Sequence, residues 1–378
     1  TRIKEFLGNK PKPMIKFNNI HFLQYLINSL SKFPFNKIYI LAGFKHKLIF
    51  NQFHNKIFNL TKIKCLKEKK LMGTGGALLN LKKEKINNFV LINGDTIFDI
   101  DVNNLVKICG NKNLGSIALA ENRKNINNFK LNNLSLKKNK LSYRRKGKLM
   151  NGGIYFFKKK ILSMLPRKKF SLEDDFLPNL INRKLLKGKV YNNFFLDIGT
   201  PKYFKISEKK LKNYFKKPAI FLDRDGVINH DLGYVYKKKD FRFKKGVIKG
   251  LKYISKKKYL IFIVTNQAGI AKGLYKEKDF FKLQSHLSKK LLKYNIIIND
   301  VQYSPFHPKA SILKFRKKSN LRKPGNQMIK NIMSNFIIDK KKSFMIGDKI
   351  SDKVCANKSN IKFYYAENNF ESLIKKIV

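Results

Sequence analysis

Tryptophan is absent from these 378 residues, and cysteine, proline and acidic side chains are all scarce. The three cysteines, Cys65, Cys109 and Cys355, are odd in number, lie far apart and form no CxxC pair, which argues against a disulfide framework. A reducing, cytoplasmic setting is the expectation that follows. No apolar run approaches the ~18 residues of a membrane span, and residues 1–10 have no signal-peptide core, so no membrane partner is expected. Acidic residues number only 24 against 83 Lys and Arg, a formal net charge of +59. So lopsided a balance raises the question of a polyanion partner. The lysines, however, are spread over the whole chain among Asn, Ile and Phe and are not gathered into one arm or stripe. They read as a solvated surface that favours phosphorylated small molecules, with no specific nucleic acid.

What is present is an alternation of helical and extended apolar patterns. Ile20, Phe22, Leu23, Leu26, Ile27 and Leu30 recur at helical spacing, and residues 38–42 then form a short apolar run. Further strand-like runs lie at 90–92 and 153–157, the first ending at Asn93-Gly94-Asp95 and the second following Asn151-Gly152. A lysine-rich helical stretch over 202–217 precedes a second series, with strands at 219–222, 260–264, 344–346 and 361–364 and helices near 247–256 and 277–293. The length suits more than one domain. The expected architecture is α/β, two doubly wound domains, the first Rossmann-like, over residues 1–212 and 213–378. Residues 123–148 are polar and weakly patterned and suggest a hairpin excursion or loop.

The densest chemistry is in the second half. Phe221-Leu222 run into Asp223-Arg224-Asp225-Gly226-Val227, two carboxylates one residue apart at the end of an apolar strand. By itself this pattern also reads as a calcium loop or a strand-ending turn. Downstream come Thr265 and Asn266 at the end of a strand, Arg322-Lys323-Pro324, and Gly347-Asp348 with Asp352 after another strand. Carboxyl ends of parallel strands converge on one rim, so distant residues can share a site. A carboxylate nucleophile facing a phosphate dianion needs a divalent cation. Asp348 supplies a second ligand beside Asp223, and oxygen ligands with phosphate point to Mg²⁺.

This ordered series resembles the four motifs of the haloacid dehalogenase superfamily. The stretches 223–229, 233–235, 265–270, 322–324 and 347–349 resemble, within it, the D-glycero-D-manno-heptose 1,7-bisphosphate 7-phosphatases. The resemblance implies that Asp223 attacks phosphorus to form an aspartyl-phosphate, and that Asp225 serves as acid and then base. It also implies that Thr265 and Lys323 hold the phosphoryl oxygens. Asp223, Asp225 and Asp348 would form the metal site, with Asp352 orienting Lys323. Asp231, Gly233, Tyr234, Asn266, Arg322 and Lys349 would recognise substrate. Many relatives carry a zinc loop, but the matching positions here are Ser304, Phe306, Ser319 and Leu321, none a thiolate or imidazole. No structural zinc is expected, His307 reads as a loop histidine, and apolar contact between Phe306 and Leu321 is expected to brace the loop.

The first half carries Thr1-Arg2, Pro11-Lys12-Pro13, Gly73-Thr74-Gly75-Gly76-Ala77, Asn93-Gly94-Asp95, Asn151-Gly152-Gly153 and Asp197-Ile198-Gly199 in order. It resembles the nucleotidyltransferases that act on sugar 1-phosphates, closest to those using heptose 1-phosphate. The resemblance implies nucleotide contacts from Arg2, Lys12, Gly73, Thr74, Gly75 and Gly76. Asp95 and Asp197 would hold Mg²⁺, and Lys146, Asn151, Gly152 and Glu173 would lie near the sugar phosphate. The family opens with a strand and a GGxGTR loop, and this sequence begins at that loop's final Thr-Arg, so the expectation is a fragment of a longer product. Together the two resemblances imply consecutive steps: removal of the 7-phosphate, then activation of the 1-phosphate with a nucleoside triphosphate such as GTP. The alternatives are a histidinol phosphatase, a polynucleotide 3′-phosphatase, or a basic nucleic-acid-binding protein with degenerate sites.

Overall fold

The computed structural model describes residues 8–121, 134–143, 148–199 and 201–378. In the first half, β1 (Lys37–Ala42) and β2 (Thr61–Lys67) pair in parallel, and a two-residue strand, Ile57–Phe58, borders β2. Then follow β3 (Phe89–Ile92), β4 (Thr96–Phe98), β5 (Gly115–Glu121), β6 (Leu134–Lys137), β7 (Lys140–Tyr143), β8 (Leu149–Phe157), β9 (Leu186–Tyr191) and β10 (Phe195–Asp197). Six of them form one sheet in the order β3, β8, β5, β9, β7, β6. It is mixed: β8 runs antiparallel to β3 and β5, while β9 runs parallel to β5. β4 and β10 make a small antiparallel ribbon that sets Thr96 opposite Asp197.

Part of the polar segment expected to be a hairpin or loop is a hairpin, β6 to β7. Its turn residues Lys138 and Asn139 have φ of 46° and 61°, the left-handed pair that matches the twist of flanking strands. The rest of that segment, including Lys146, and also Arg2, lie outside the described residues.

The second half is a five-stranded parallel sheet, ordered β13 (Asp300–Ser304), β12 (Leu260–Asn266), β11 (Ala219–Leu222), β14 (Phe344–Gly347) and β15 (Lys362–Tyr365). Both faces are covered. Ile220, Leu222, Ile261 and Ile263 join the core against helices Val247–Lys256 and Glu277–Leu292, whereas Ala219, Phe221, Phe262 and Val264 join the opposite core with Met328, Ile329 and Ile332. A strand buried on two faces must be apolar at every position, which is why 219–222 and 260–264 read as unbroken runs. Because the strands are parallel, Asp223, Asn266 and Asp348 all lie at one rim of the sheet.

Helix Pro201–Phe215 leads from the first half to the second, and the expected boundary at 212/213 falls in its last turn. The halves touch directly. Asn59 donates its backbone N–H to Asp300 at 3.0 Å and its side-chain amide to the Ile298 carbonyl at 2.7 Å. Asn28 donates to the Asn335 carbonyl at 2.6 Å. Among the described residues no helix is long and apolar enough to cross a membrane.

Candidate active sites

Asp223 is the first residue beyond β11 and is 6% exposed, with its backbone N–H donating to the Ile346 carbonyl of β14 at 3.1 Å. The buried Lys323 Nζ lies 3.0 Å from one Asp223 oxygen and 2.7 Å from Asp352, and donates to the Val264 carbonyl at 2.9 Å. Asn266 pins the backbone of Lys323 from both sides, accepting from its N–H at 3.0 Å and donating to its carbonyl at 3.1 Å. Asp352 accepts the backbone N–H groups of Asp348 and Lys349, at 3.2 and 3.1 Å, at the start of helix Ile350–Asn357. One carboxylate thus caps a helix and aims a lysine.

Carboxylate oxygens of Asp223, Asp348 and Asp352 lie within 4.8 Å of one another, and one oxygen of Asp348 is buried with no hydrogen-bond partner. Burial pushes the Asp223 carboxyl up to about 6; Lys323 opposes the shift, while Asp352 and Asp225 add to it. Burial likewise raises Asp348 against the pull of Lys349. Burial disfavours the Lys323 ammonium, yet Asp223 and Asp352 outweigh it and raise its pKa. Three carboxylates facing one ammonium, with an orphaned hard oxygen among them, fit a divalent cation of the Mg²⁺ type.

The Asp225 carboxylate, expected beside Asp223 and Asp348 at the metal, is turned to other partners. It is not in that cluster: Arg224 Nη2 lies 2.8 Å away, Asn229 donates at 2.9 Å and Gln267 at 3.1 Å. Arg224 is fully buried, lies over the Phe280 ring at 5.7 Å and also donates to the Val235 carbonyl. Gln267 donates to Thr265 Oγ1 at 2.9 Å and accepts from Tyr275 at 2.6 Å. With Gln267 occupying a lone pair, the Thr265 hydroxyl proton is left to donate elsewhere. Sequence reasoning passed over Arg224, Gln267 and Tyr275; Gln267 sits inside a quoted motif, but a buried arginine between two aspartates has no sequence signal.

Around the mouth, Lys349 pairs with Asp231 at 3.2 Å, and Asp231 accepts the Gly233 N–H at 3.1 Å. Tyr234 accepts from Lys272 at 2.6 Å, a lysine that no motif marks. Burial lowers the pKa of Arg322, and its guanidinium donates to the Phe306 carbonyl at 3.4 Å. The expected brace between Phe306 and Leu321 does not form. Phe306 stacks edge-on against Phe315 at 6.1 Å, while Leu321 packs into the core on the other face of the sheet.

In the first half, Lys12 Nζ lies 3.1 Å from Asp95, and the β4–β10 ribbon brings Asp197 beside it, with the Ile198 N–H donating to the Asp95 carbonyl at 3.0 Å. Glu173 accepts from Thr74 at 2.7 Å and from Asn93 at 3.3 Å, so the glycine segment and the 93–95 turn share one carboxylate. Asn151 is turned to Tyr155 and to the Gly153 N–H. Gly152 abuts the Phe98 ring. The space left by Gly73 and Gly75 is taken by Phe170: a Cβ on either would strike its backbone or its ring. Those glycines are required by the protein's own packing.

Residues 220–374 match the family model described as polynucleotide kinase 3 phosphatase. The chain is similar to D-glycero-beta-D-manno-heptose-1,7-bisphosphate 7-phosphatase from Photorhabdus laumondii, at 39% identity over 38% of this chain and 77% of that protein. It is 42% identical to D-glycero-alpha-D-manno-heptose-1,7-bisphosphate 7-phosphatase from Campylobacter jejuni, over 36% of this chain and 74% of the relative. The chain belongs to the heptose bisphosphate phosphatase family. Among solved structures, this phosphatase chain is similar to HddC from Yersinia pseudotuberculosis complexed with GMP-PN (29% identity, 56% of this chain and 94% of that one, TM-score 0.46). A second is D,D-heptose 1.7-bisphosphate phosphatase from B. bronchiseptica complexed with magnesium and phosphate (19% identity, 42% and 86% covered, TM-score 0.37).

Proposed function

We propose that residues 213–378 remove the 7-phosphate of D-glycero-D-manno-heptose 1,7-bisphosphate, and that residues 1–212 belong to a unit transferring a nucleotide, GTP-derived, to the heptose 1-phosphate so formed. The observation that carries the phosphatase reading is Lys323, buried and shared between Asp223 and Asp352 with Asp348 beside them. The Asp223 carboxylate attacks phosphorus as the bond to the sugar oxygen breaks, and Asp225 delivers a proton to that oxygen. Asp225 then takes a proton from the water that hydrolyses the aspartyl-phosphate. Arg224, Asn229 and Gln267 set its carboxylate for both transfers. Lys323 and the Thr265 hydroxyl hold phosphoryl oxygens in a buried setting where fixed donors act strongly. Asp223 and Asp348 would hold Mg²⁺, which when bound would offset the repulsion between nucleophile and phosphate. Asp231, Tyr234, Lys272, Arg322 and Lys349 would recognise a phosphorylated polyol. A cytoplasmic location fits such substrates.

A second reading has its own support. The matched family model is described for a polynucleotide 3′ phosphatase, and the net charge is +59. Phosphate release from both anomers of the heptose bisphosphate, from histidinol phosphate and from a 3′-phosphorylated oligonucleotide separates the readings. The expected result is turnover of a heptose anomer far above the others, abolished in Asp223→Asn. Preference for the oligonucleotide, or normal turnover in Asp223→Asn, overturns it. For the first half, Lys12 against Asp95 with Asp197 alongside supports nucleotidyl transfer, in which a lysine offsets triphosphate charge and two carboxylates hold Mg²⁺.

A further inference from the structure

Between the two halves, beside the hydrogen bonds that Asn59 makes to Ile298 and Asp300, lies a cleft of about 680 Å³. That volume is usual for a small-molecule site. One wall comes from residues 31–36 and 59–61 of the first half, and the other from Lys238, helix Glu277–Leu292 and residues 296–298 of the second. No aspartate or glutamate is among the described residues that line it. Lysines are spread over this whole chain, so it is their placement here that carries meaning.

Helix Glu277–Leu292 buries Phe280, Leu283, Leu287 and Leu291 in the core and turns a second stripe to the cleft: Lys278, Lys282, Ser285 and Lys289. Cations four residues apart on one helix face repel, and concave walls of low dielectric concentrate their field. Little in the protein relieves it. Lys282 reaches Asp279 only at 3.8 Å, and Lys32 on the facing wall reaches Asp99 at the same distance. Lys238, Lys278 and Lys289 form no ion pair among the described residues. His286 lines the same wall, and burial together with Lys290, Lys238 and Lys293 lowers its pKa, as a positive field requires. Aromatic rings complete the lining: Phe33 and Phe35 stand edge to face at 6.2 Å, and Phe281 lies on the helix wall.

We infer that this cleft binds a nucleoside diphosphate, with its phosphates on the lysine stripe of helix Glu277–Leu292 and its base against the phenylalanine rings. Phosphate oxygens supply the counter-charge that the stripe lacks. A flat base stacks on aromatic rings without needing a fixed pattern of hydrogen bonds. A bare inorganic anion satisfies the lysines and leaves the rings wet. None of the residues assigned to either candidate active site lines the cleft, so the bound molecule is an effector and not a reactant. It sits against residues 59–61 and 296–298, the segments that join the halves, and so tightens the contact between them. The inference rests on the cleft's own geometry and holds whichever reaction each half performs.

The test titrates the full chain by calorimetry with GDP, and separately with inorganic pyrophosphate, at physiological ionic strength, where loose surface attraction is screened. Replacing the stripe, Lys278→Gln with Lys282→Gln and Lys289→Gln, is expected to weaken GDP binding at least about tenfold. Phosphate release at the Asp223 site, measured without GDP, stays unchanged in that variant. A matched control, Lys340→Gln with Lys341→Gln and Lys342→Gln, removes three lysines that do not line the cleft and should change GDP binding by less than about twofold. In the unaltered chain GDP should also slow amide exchange in peptides covering 57–61 and 296–300. No GDP binding, or equal weakening in the two triple variants, overturns the inference. So does pyrophosphate binding as tightly as GDP, which would leave the rings without a role. Lys12→Ala separates the cleft from the nucleotide site proposed for the first half: GDP binding lost there and kept in the stripe variant overturns the inference. A single-stranded oligonucleotide that binds more tightly than GDP, and is lost in the stripe variant, would assign the cleft to nucleic acid and overturn it too.

Discussion

Arg224 and Asp225 show how two neighbouring residues divide one job. In the proposed mechanism Asp225 carries the proton, and its carboxylate is held by a guanidinium that is itself fully buried between Phe280 and the Val235 carbonyl. Replacing Asp225 by Asn keeps the shape and removes the proton carrier. It is expected to lower kcat for phosphate release by about 10²- to 10⁴-fold with little change in urea denaturation. Arg224→Met should damage both. It strands a largely buried carboxylate, costing about 3 to 5 kcal/mol in denaturation, and leaves Asp225 without its main partner. If Arg224→Met unfolds at the wild-type urea concentration, the guanidinium does not hold Asp225 as described. Asp223, Asp225, Thr265, Lys323 and Asp348 were all legible as motif residues. Arg224 was not, because nothing in a chain so rich in basic residues marks one arginine as buried.

At the scale of elements, the phosphatase site depends on what leaves each strand. β11 ends in Asp223 and turns at Gly226, whose φ is +83° and whose missing Cβ makes room for the Asp348 carboxylate arriving from β14. Gly226→Ala therefore carries two penalties. The left-handed backbone costs about 1 to 3 kcal/mol, and the methyl group displaces a carboxylate of the proposed metal site. The Mg²⁺ concentration giving half-maximal phosphate release should rise about tenfold, equivalent to about 1.4 kcal/mol. An unchanged Mg²⁺ titration would mean that Asp348 does not hold the ion. Parallel strands 219–222, 260–264 and 344–346 could be read from continuous apolar runs, since burial on both faces leaves no alternation. β2, β5, β9 and β13 were not recognised. Thr61–Lys67 alternates lysine with apolar residues, and Gly115–Glu121 is dominated by small side chains, so neither presents a simple run.

For the whole molecule, the two halves share more than a linker. Asn59, in a turn with φ of 41°, donates its side chain to Ser31 within its own half and to Ile298 across the boundary. Asn59→Gly preserves the backbone conformation and deletes both hydrogen bonds. It is expected to cost about 1 to 2 kcal/mol, seen by calorimetry as a lower or split transition, without loss of phosphatase kcat below that transition. A single transition at the wild-type temperature would mean that these bonds do not couple the halves. The sequence by itself determined the α/β class, the order of the phosphatase motifs and the positions of Asp223, Asp225 and Lys323, to which the proposed mechanism gives its chemistry, because backbone periodicity and short spacings are local. Only the tertiary structure decided that Asp352 rather than Asp225 joins the carboxylate cluster, that Phe170 fills the space beside Gly73 and Gly75, and that Phe306 rests on Phe315. Each of these depends on side chains far apart in sequence competing for the same space, and local pattern carries no record of that competition.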